Sequence, residues 1–95
     1  MARQLILLSG HDNVAVAIRD LEPGTLAETE GVSLTVRDRI PLGHKVARRP
    51  IAGGERILKF GVPVGVATAD IAEGEHVHLH NVRSDYVNNA IEHYE

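Results

Sequence analysis

One short pattern recurs four times along the chain and constrains its fold more than any other feature. In each copy an aliphatic residue is followed three positions later by glycine, and another aliphatic residue comes two or three positions after that glycine. The four copies begin at Leu21, Ile40, Ile51 and Ile71. Because glycine adopts positive φ at little cost, each copy predicts a strand end, a tight turn and a new strand. Four such turns in 95 residues predict short, sharply bent strands rather than long helices.

The segments between these turns alternate apolar residues with polar or small ones, as half-buried strands do. The alternation is visible over 14–18, 32–37 and 62–66. Pro63 cannot donate a ladder hydrogen bond, so the third segment is expected to be an edge, a bend or a bulge. Asp12 and Asn13 favour helix caps, which leaves a short helix open as the alternative for the residues that follow them.

Length and pattern together divide the chain into two parts. Ninety-five residues make one small domain with little room for a second core. We expect a compact, mostly β domain over 1–83 and a C-terminal tail over 84–95. In the tail, Ser84 or Asp85 would cap a short helix that runs through Ile91.

Composition excludes several classes of protein. The chain has no cysteine and therefore no disulfide, thiolate metal site or cysteine nucleophile. A net charge of −3 and only two Tyr, one Phe and no Trp argue against nucleic-acid binding. The apolar run 5–8 is too short to span a membrane and does not resemble a signal peptide, so we expect a cytoplasmic protein without a membrane partner. A domain this small is only modestly stable alone, which favours a partner chain or a homo-oligomer.

Half of the histidines lie at alternate positions of one short segment, as His76, His78 and His80. In a β-strand these three imidazoles would share one face, and Val77 and Leu79 would point to the core. Imidazole is a common ligand of zinc and iron, so the segment predicts a metal or substrate contact. The solvated face of a half-buried sheet is the alternative, because it would show the same alternation.

Two other polar clusters contain residue types suited to chemistry. The run His11-Asp12-Asn13 precedes an apolar segment, and an ordinary turn is the alternative interpretation. The run Gly43-His44-Lys45 would hold an imidazole and an ammonium group at a turn, where they can bind a carboxylate or transfer protons. A solvated loop explains that run equally well. The second lysine of the chain, Lys59, also lies beside a glycine turn.

Four motifs occur in one order along the chain: HDNVAVA at 11–17, IPLGHKVA at 40–47, KFG at 59–61 and GEHVHLHN at 74–81. In this order they resemble the N-terminal SAF domain of the altronate/galactarate dehydratase family, and the small subunit of sulfolactate sulfo-lyase looks similar. The resemblance covers about residues 5–83 and implies a SAF-type β-clip fold, in agreement with the bent strands. The galactarate branch lacks the histidine segment, so 76–80 favours the altronate and sulfolactate branches.

The resemblance also implies a chemistry, which is the elimination of water from a sugar acid to give a 2-keto-3-deoxy acid. It implies a divalent metal, iron(II) or manganese, held by this chain or mainly by a partner. The residues expected to take part are His11, His44 and Lys45 in catalysis, Asp12, Asn13, Lys59 and Asn81 in binding the acidic sugar substrate, and His76, His78 and His80 in binding the metal.

Members of the resembled family have a much larger catalytic region after this domain. We therefore expect either a small subunit or an N-terminal domain of a hydro-lyase, inactive alone, whose active site a large catalytic subunit completes. The ending over 88–95 looks like a natural short tail, which favours the small subunit. The alternatives are the small subunit of a sulfolactate sulfo-lyase and a non-catalytic SAF carbohydrate-binding module.

Overall fold

The structure is a computed structural model that describes residues 3–84. That part of the chain contains nine β-strands and no helix, and thus no helix able to cross a membrane. The strands are β1 Leu5–Ile6, β2 Val14–Ala17, β3 Leu26–Thr29, β4 Val32–Thr35, β5 Lys45–Ala47, β6 Arg56–Lys59, β7 Val62–Ala67, β8 His76–Val77 and β9 Val82–Arg83. The predicted mostly β domain is confirmed. The predicted helix of the tail lies outside the described residues, apart from Ser84.

The nine strands form three antiparallel sheets. β1, β2, β5 and β8 make a four-stranded sheet in that order, β3 and β4 make a hairpin, and β6, β7 and β9 make a three-stranded sheet. In the four-stranded sheet, which we call the central sheet, Lys45 of β5 pairs with Val16 of β2 and with Val77 of β8. The neighbouring pair joins Val46 to His76. The register of the central sheet therefore brings two distant polar segments side by side.

All four glycine turns predicted from the repeated pattern are present. Gly24, Gly43, Gly54 and Gly74 have φ values of 90°, 86°, 88° and 86°. At each turn the residue after the glycine donates its backbone N–H to the carbonyl oxygen of the residue two positions before the glycine, at 2.9–3.1 Å. A positive φ at the third position of such a hydrogen-bonded turn is typical of type II turns. The turn residues alone thus account for the four bends of the chain.

The turns also divide the domain into two similar halves. Leu21 pairs with Ile40 as an isolated bridge in the first half, and Ile51 pairs with Ile71 in the second. Each bridge flanks a hairpin, β3–β4 in the first half and β6–β7 in the second. β5 follows the last turn of the first half, and β8 follows the last turn of the second half. Their pairing joins the two halves in the central sheet.

The core consists of two apolar clusters that lie on opposite faces of the central sheet. Ala15 and Val46 belong to one cluster, and Val14 and Ala47 belong to the other. Because β2 is covered on both faces, its alanines are as buried as its first valine, and only Val16 is partly exposed. The alternation predicted for 32–37 is confirmed. The helix alternative for the residues after Asn13 is wrong, since this segment is strand β2.

β7 departs from the alternation predicted for 62–66. Val62, Pro63 and Val64 are all exposed, and the strand becomes buried only from Gly65. The pairing with β6 shifts register between Ile57 and Leu58, which lie opposite Gly65 and Pro63. This shift confirms the irregularity expected from the proline. The exposed start of β7 leaves the side chains of Val62 and Val64 at the surface.

Candidate functional site

The histidine segment is a strand only at its start. β8 ends at Val77, and the chain then turns through His78 to Asn81. The Asn81 side chain fixes this turn, because its Oδ1 accepts the His78 N–H at 3.0 Å and its Nδ2 donates to the His76 carbonyl at 2.8 Å. Val77 is buried as expected, but the prediction that Leu79 points to the core is wrong, since Leu79 is 83% exposed. Asn81 thus has a structural role, and its contact with substrate stays a prediction.

The bend nevertheless gathers imidazoles, and it adds one from another part of the chain. His44 Nδ1 lies 2.9 Å from His76 Nε2, and the His44 ring stacks on the His78 ring at 4.2 Å between centroids. The rings of His76 and His78 are 5.4 Å apart. One ligand nitrogen from each of these residues lies within 4.8 Å of the other two. We call His44, His76 and His78 the imidazole cluster.

The cluster differs from the predicted metal set by one residue. His80 is exposed, and its ring is tilted against His76 at 5.2 Å between centroids. Among the residues that the structure describes, the group able to hold a metal contains His44 and omits His80. A role for His80 at a metal therefore stays a prediction without this geometric support.

His44 comes directly after the glycine of its turn. In the three other glycine turns, the side chain at this position closes the turn through a hydrogen bond. Thr25 Oγ1 donates to the carbonyl at the start of its own turn at 2.6 Å. Glu55 and Glu75 each accept the N–H at the start of theirs at 3.0 Å. The Nδ1 atom of His44 instead contacts the ring of His76, in the other half of the domain. A residue that departs from the local pattern in this way is typical of a functional position.

The surroundings favour the neutral form of two imidazoles of the cluster, those of His76 and His78. Burial lowers the pKa of His76, and the nearby imidazoles of His44, His80 and His78 lower it further, while Asp38 raises it. Loss of solvent contact also lowers the pKa of His78, together with its histidine neighbours and Lys45. The Asp38 carboxylate accepts the backbone N–H of His76 at 2.9 Å and so fixes the start of β8. Neutral imidazole is the form that binds metal, so the cluster fits a divalent cation.

Two lysines extend the site from the imidazole cluster. The half-buried Lys45 has its pKa lowered by burial and by the positive charge of Lys59. Lys45 and His78 share the wall of an open cavity of about 160 Å³, whose other lining residues are Val64, Leu79, Val82 and Ser84. An amine with a lowered pKa beside a second ammonium group can bind an anion or accept a proton.

Two residues of the run His11-Asp12-Asn13 are buried and hold the backbone near Lys59. The two oxygens of the buried Asp12 accept the backbone N–H groups of Phe60 and Gly61 at 2.7 Å. The buried Asn13 donates to the Arg56 carbonyl and accepts the Leu58 N–H, both at 2.8 Å. These bonds hold the strand that bears Lys59, so both side chains have structural roles. Their contact with substrate stays a prediction.

His11 is exposed, and its backbone N–H donates to Ser9 Oγ at 3.3 Å. The structure places His11 in the loop before Asp12 but not in the imidazole cluster, so its catalytic role also stays a prediction. Sequence reasoning missed Asp38 and the apolar cavity wall formed by Val64 and Leu79. Nothing in the local sequence marks these residues, because they reach the site through sheet register and turn geometry.

The fold and the site define a class of small β domain, built from two similar halves, with imidazole and lysine groups where the halves meet. Residues 3–85 match the family model described as the altronate/galactarate dehydratase SAF domain, and the chain belongs to this family. The family suggested by the four motifs is confirmed.

The chain is similar to proteins of two names. It is 45% identical over 82 residues to an altronate dehydratase of Escherichia coli (strain K12), a match that covers 86% of this chain and 17% of the relative. It is 47% identical over 49 residues to the (2R)-sulfolactate sulfo-lyase subunit alpha of Chromohalobacter salexigens, covering 52% of each. The subunit of the same name from Paracoccus pantotrophus is 37% identical over 51 residues, which make up 54% of this chain and 76% of that subunit.

Proposed function

We propose that this chain is a subunit or domain of a hydro-lyase that eliminates water from a sugar acid. The observation that supports this most directly is the grouping of His44, His76 and His78 from both halves of the domain, with Lys45 on the wall of the cavity that His78 also lines. The chain spans 17% of the altronate dehydratase from Escherichia coli. Most of an enzyme of that kind would therefore lie in a separate catalytic region.

Altronate and sulfolactate are both 2-hydroxy acids with a leaving group on the carbon β to the carboxylate. In the proposed reaction, the Lys45 amine accepts the proton from the α carbon at Nζ. The electrons of the broken C–H bond form the new carbon–carbon double bond as the C–O bond of the β hydroxyl breaks, and the departing oxygen takes a proton from solvent to leave as water. The resulting enol then gives the 2-keto acid. Lowering the pKa of Lys45 makes its neutral, proton-accepting form more available.

The Lys59 ammonium would hold the substrate carboxylate beside Lys45. This arrangement places a permanent positive charge near the negative charge that develops on the carboxylate when the α proton is removed. His44, His76 and His78 would hold the divalent metal that the family implies. When bound, that metal would supply further stabilisation of the same developing charge.

The catalytic region would dock on an apolar rim beside the site, which we define as Phe60, Val62, Val64 and Leu79. All four side chains are exposed, and two of them line the cavity that contains Lys45. Phe60 also has a φ of 59°, which is unusual and costly for a large side chain. Exposed apolar groups next to an open polar site are typical of a surface that a partner covers.

A sulfolactate sulfo-lyase subunit is the second candidate, and one observation favours it. The 49 matched residues make up 52% of this chain and 52% of the Chromohalobacter salexigens subunit, so the two chains are similar in length. The elimination would be the same, with sulfite leaving in place of water. A carbohydrate-binding module without catalysis is the third candidate.

A hybrid enzyme tests the proposal. Residues 3–84 of this chain would replace the matched segment of the Escherichia coli altronate dehydratase, and formation of the 2-keto acid from altronate would be measured. We expect activity in the hybrid and its loss in the same hybrid with Lys45→Met. A folded hybrid that is inactive on altronate but releases sulfite from sulfolactate would support the second candidate. Activity that is unchanged by Lys45→Met would contradict the proposed mechanism.

A further inference from the structure

The imidazole cluster brings together one histidine from the first half of the domain and two from the second. Their ligand nitrogens lie within 4.8 Å of one another, and His44 Nδ1 and His76 Nε2 are only 2.9 Å apart. We propose that His44, His76 and His78 form a three-histidine site for a divalent transition metal, complete in this chain without a partner. This inference deepens the proposed function, which assigns the same three residues to a metal, but it rests on the geometry of the cluster and does not require lyase activity.

The cluster is built to keep its ligands in place. β5 and β8 are paired directly beside it, and Asp38 and Asn81 fix the backbone on either side of His76 through hydrogen bonds of 2.8–3.0 Å. The type II turn around Gly43 fixes the backbone at His44. Ligands held by rigid backbone lose little freedom when a metal binds, which favours affinity.

The donor set selects the kind of metal. Three neutral nitrogens suit zinc, iron(II), nickel and copper, whereas magnesium and calcium prefer oxygen ligands. Within residues 3–84 the group of possible ligands contains imidazoles alone, without a carboxylate. Three protein ligands would also leave coordination positions open for substrate or water, as in catalytic metal sites. We therefore expect zinc or iron(II) to bind much more tightly than magnesium.

The short contact between His44 and His76 predicts a second effect of metal binding. Without metal, one of these facing nitrogens must hold the proton of their hydrogen bond. A metal that binds both nitrogens excludes that proton from the contact. One of the two rings must then move its proton to its other nitrogen, which changes its tautomer.

Metal titration of the full 95-residue chain tests the proposal. Zinc binding would be measured by calorimetry, and cobalt(II) would report nitrogen coordination through its visible absorption. We expect one metal per chain, and His44→Gln should weaken binding by about 100-fold or more because it removes a direct ligand. His80→Gln is the matched control and should leave affinity unchanged. Normal binding by a folded His44→Gln chain would overturn the proposal, whatever the result in His80→Gln.

Two measurements keep the result interpretable if a variant is poorly folded. Circular dichroism would compare each metal-free variant with the parent, and His78→Gln would serve as a second ligand variant. Nitrogen-15 NMR of the histidine rings should show a tautomer change at His44 or His76 when zinc is added. Absence of zinc and cobalt binding by the folded parent chain would overturn the proposed site, whatever the activity of the assembled enzyme.

Discussion

The Nδ1 atom of His44 lies 2.9 Å from the Nε2 atom of His76, although 32 positions separate the two residues in the chain. The contact exists because β5 and β8 pair, with Val46 opposite His76 and Lys45 opposite Val77. A shift of one residue in this register would move the His76 side chain to the other face of the sheet. The geometry of the site therefore depends on the turns that set the register.

Alanine substitutions at two equivalent turn glycines measure how much each turn contributes to the stability of the fold. Gly24 and Gly74 have nearly the same φ, 90° and 86°, so both variants incur strain of about 1–3 kcal/mol. A Cβ at Gly24 meets open space, whereas one at Gly74 collides with the Thr35 carbonyl oxygen. We expect Gly74→Ala to lose about 1–3 kcal/mol more than Gly24→Ala in the free energy of unfolding, measured by urea denaturation. Equal losses would show that the contact at Gly74 relaxes freely.

The bends of this fold could be predicted from sequence because their cause is local. A glycine at the third position of a turn predicts a positive φ at that residue, and all four predicted turns are present. Alternation over 32–36 is equally local, since one face of that strand is buried and the other is exposed. Where a strand is buried on both faces, as β2 is, the alternation of residue types does not predict which side chains are buried.

The composition of the imidazole cluster could not be predicted from spacing. The spacing of the three nearby histidines suggested an extended strand, but Asn81 closes a turn that ends it after Val77. His44 joins the cluster through strand pairing between the two halves, which no local pattern reports. Asp12 and Asn13 are candidate substrate-binding residues in the sequence, yet their side chains bind backbone groups more than 40 positions away.

Asp12→Ala should lower stability more than His11→Ala, although both residues were candidates for catalysis or binding. Asp12 accepts two backbone N–H groups at the turn that holds Phe60 in its unusual conformation. Losing these charge-assisted bonds should cost about 2–3 kcal/mol in thermal or urea unfolding. The exposed His11 side chain should cost less than about 0.5 kcal/mol. A fully stable Asp12→Ala protein would argue that Asp12 is kept for binding instead.

Acid should destabilise the metal-free chain through the imidazole cluster. The pKa values of His76 and His78 are lowered in the folded state, so the unfolded chain binds more protons below the ordinary histidine pKa of 6.5. The stability that these two neutral imidazoles contribute is therefore fully present above pH 6.5, and it is lost as the pH falls through their lowered pKa values. The melting temperature in chelator-treated buffer should fall between pH 7.5 and 5.5. The fall should be smaller in His76→Asn, and an equal fall in that variant would exclude His76 as a source.

Polar substitution of the apolar rim should weaken assembly without unfolding the chain. Leu79 is 83% exposed, so Leu79→Ser should leave the melting temperature nearly unchanged. If a catalytic region covers this side chain, the loss of about 1.5–3 kcal/mol of apolar burial should weaken association by roughly 10- to 100-fold. Leu26→Ser is the control, because Leu26 is 55% exposed on the hairpin of the other half. Equal weakening by both variants, measured by calorimetry with the catalytic region, would remove the rim as the docking surface.

The two lysines should have separable effects on the pH dependence of the assembled enzyme. A base must be neutral to accept a proton, so kcat/KM should rise with pH through the pKa of Lys45, which lies below its ordinary value of 10.5. Lys45→Met should lower kcat by about 10²- to 10⁴-fold. Lys59→Met should raise KM because a cation that binds the substrate carboxylate is lost. It should also move the rise in kcat/KM to higher pH, since the charge of Lys59 helps to lower the pKa of Lys45. If Lys45→Met instead raised only KM, and Lys59→Met left the pH profile in place, the domain would bind the substrate while another part of the enzyme removes the proton.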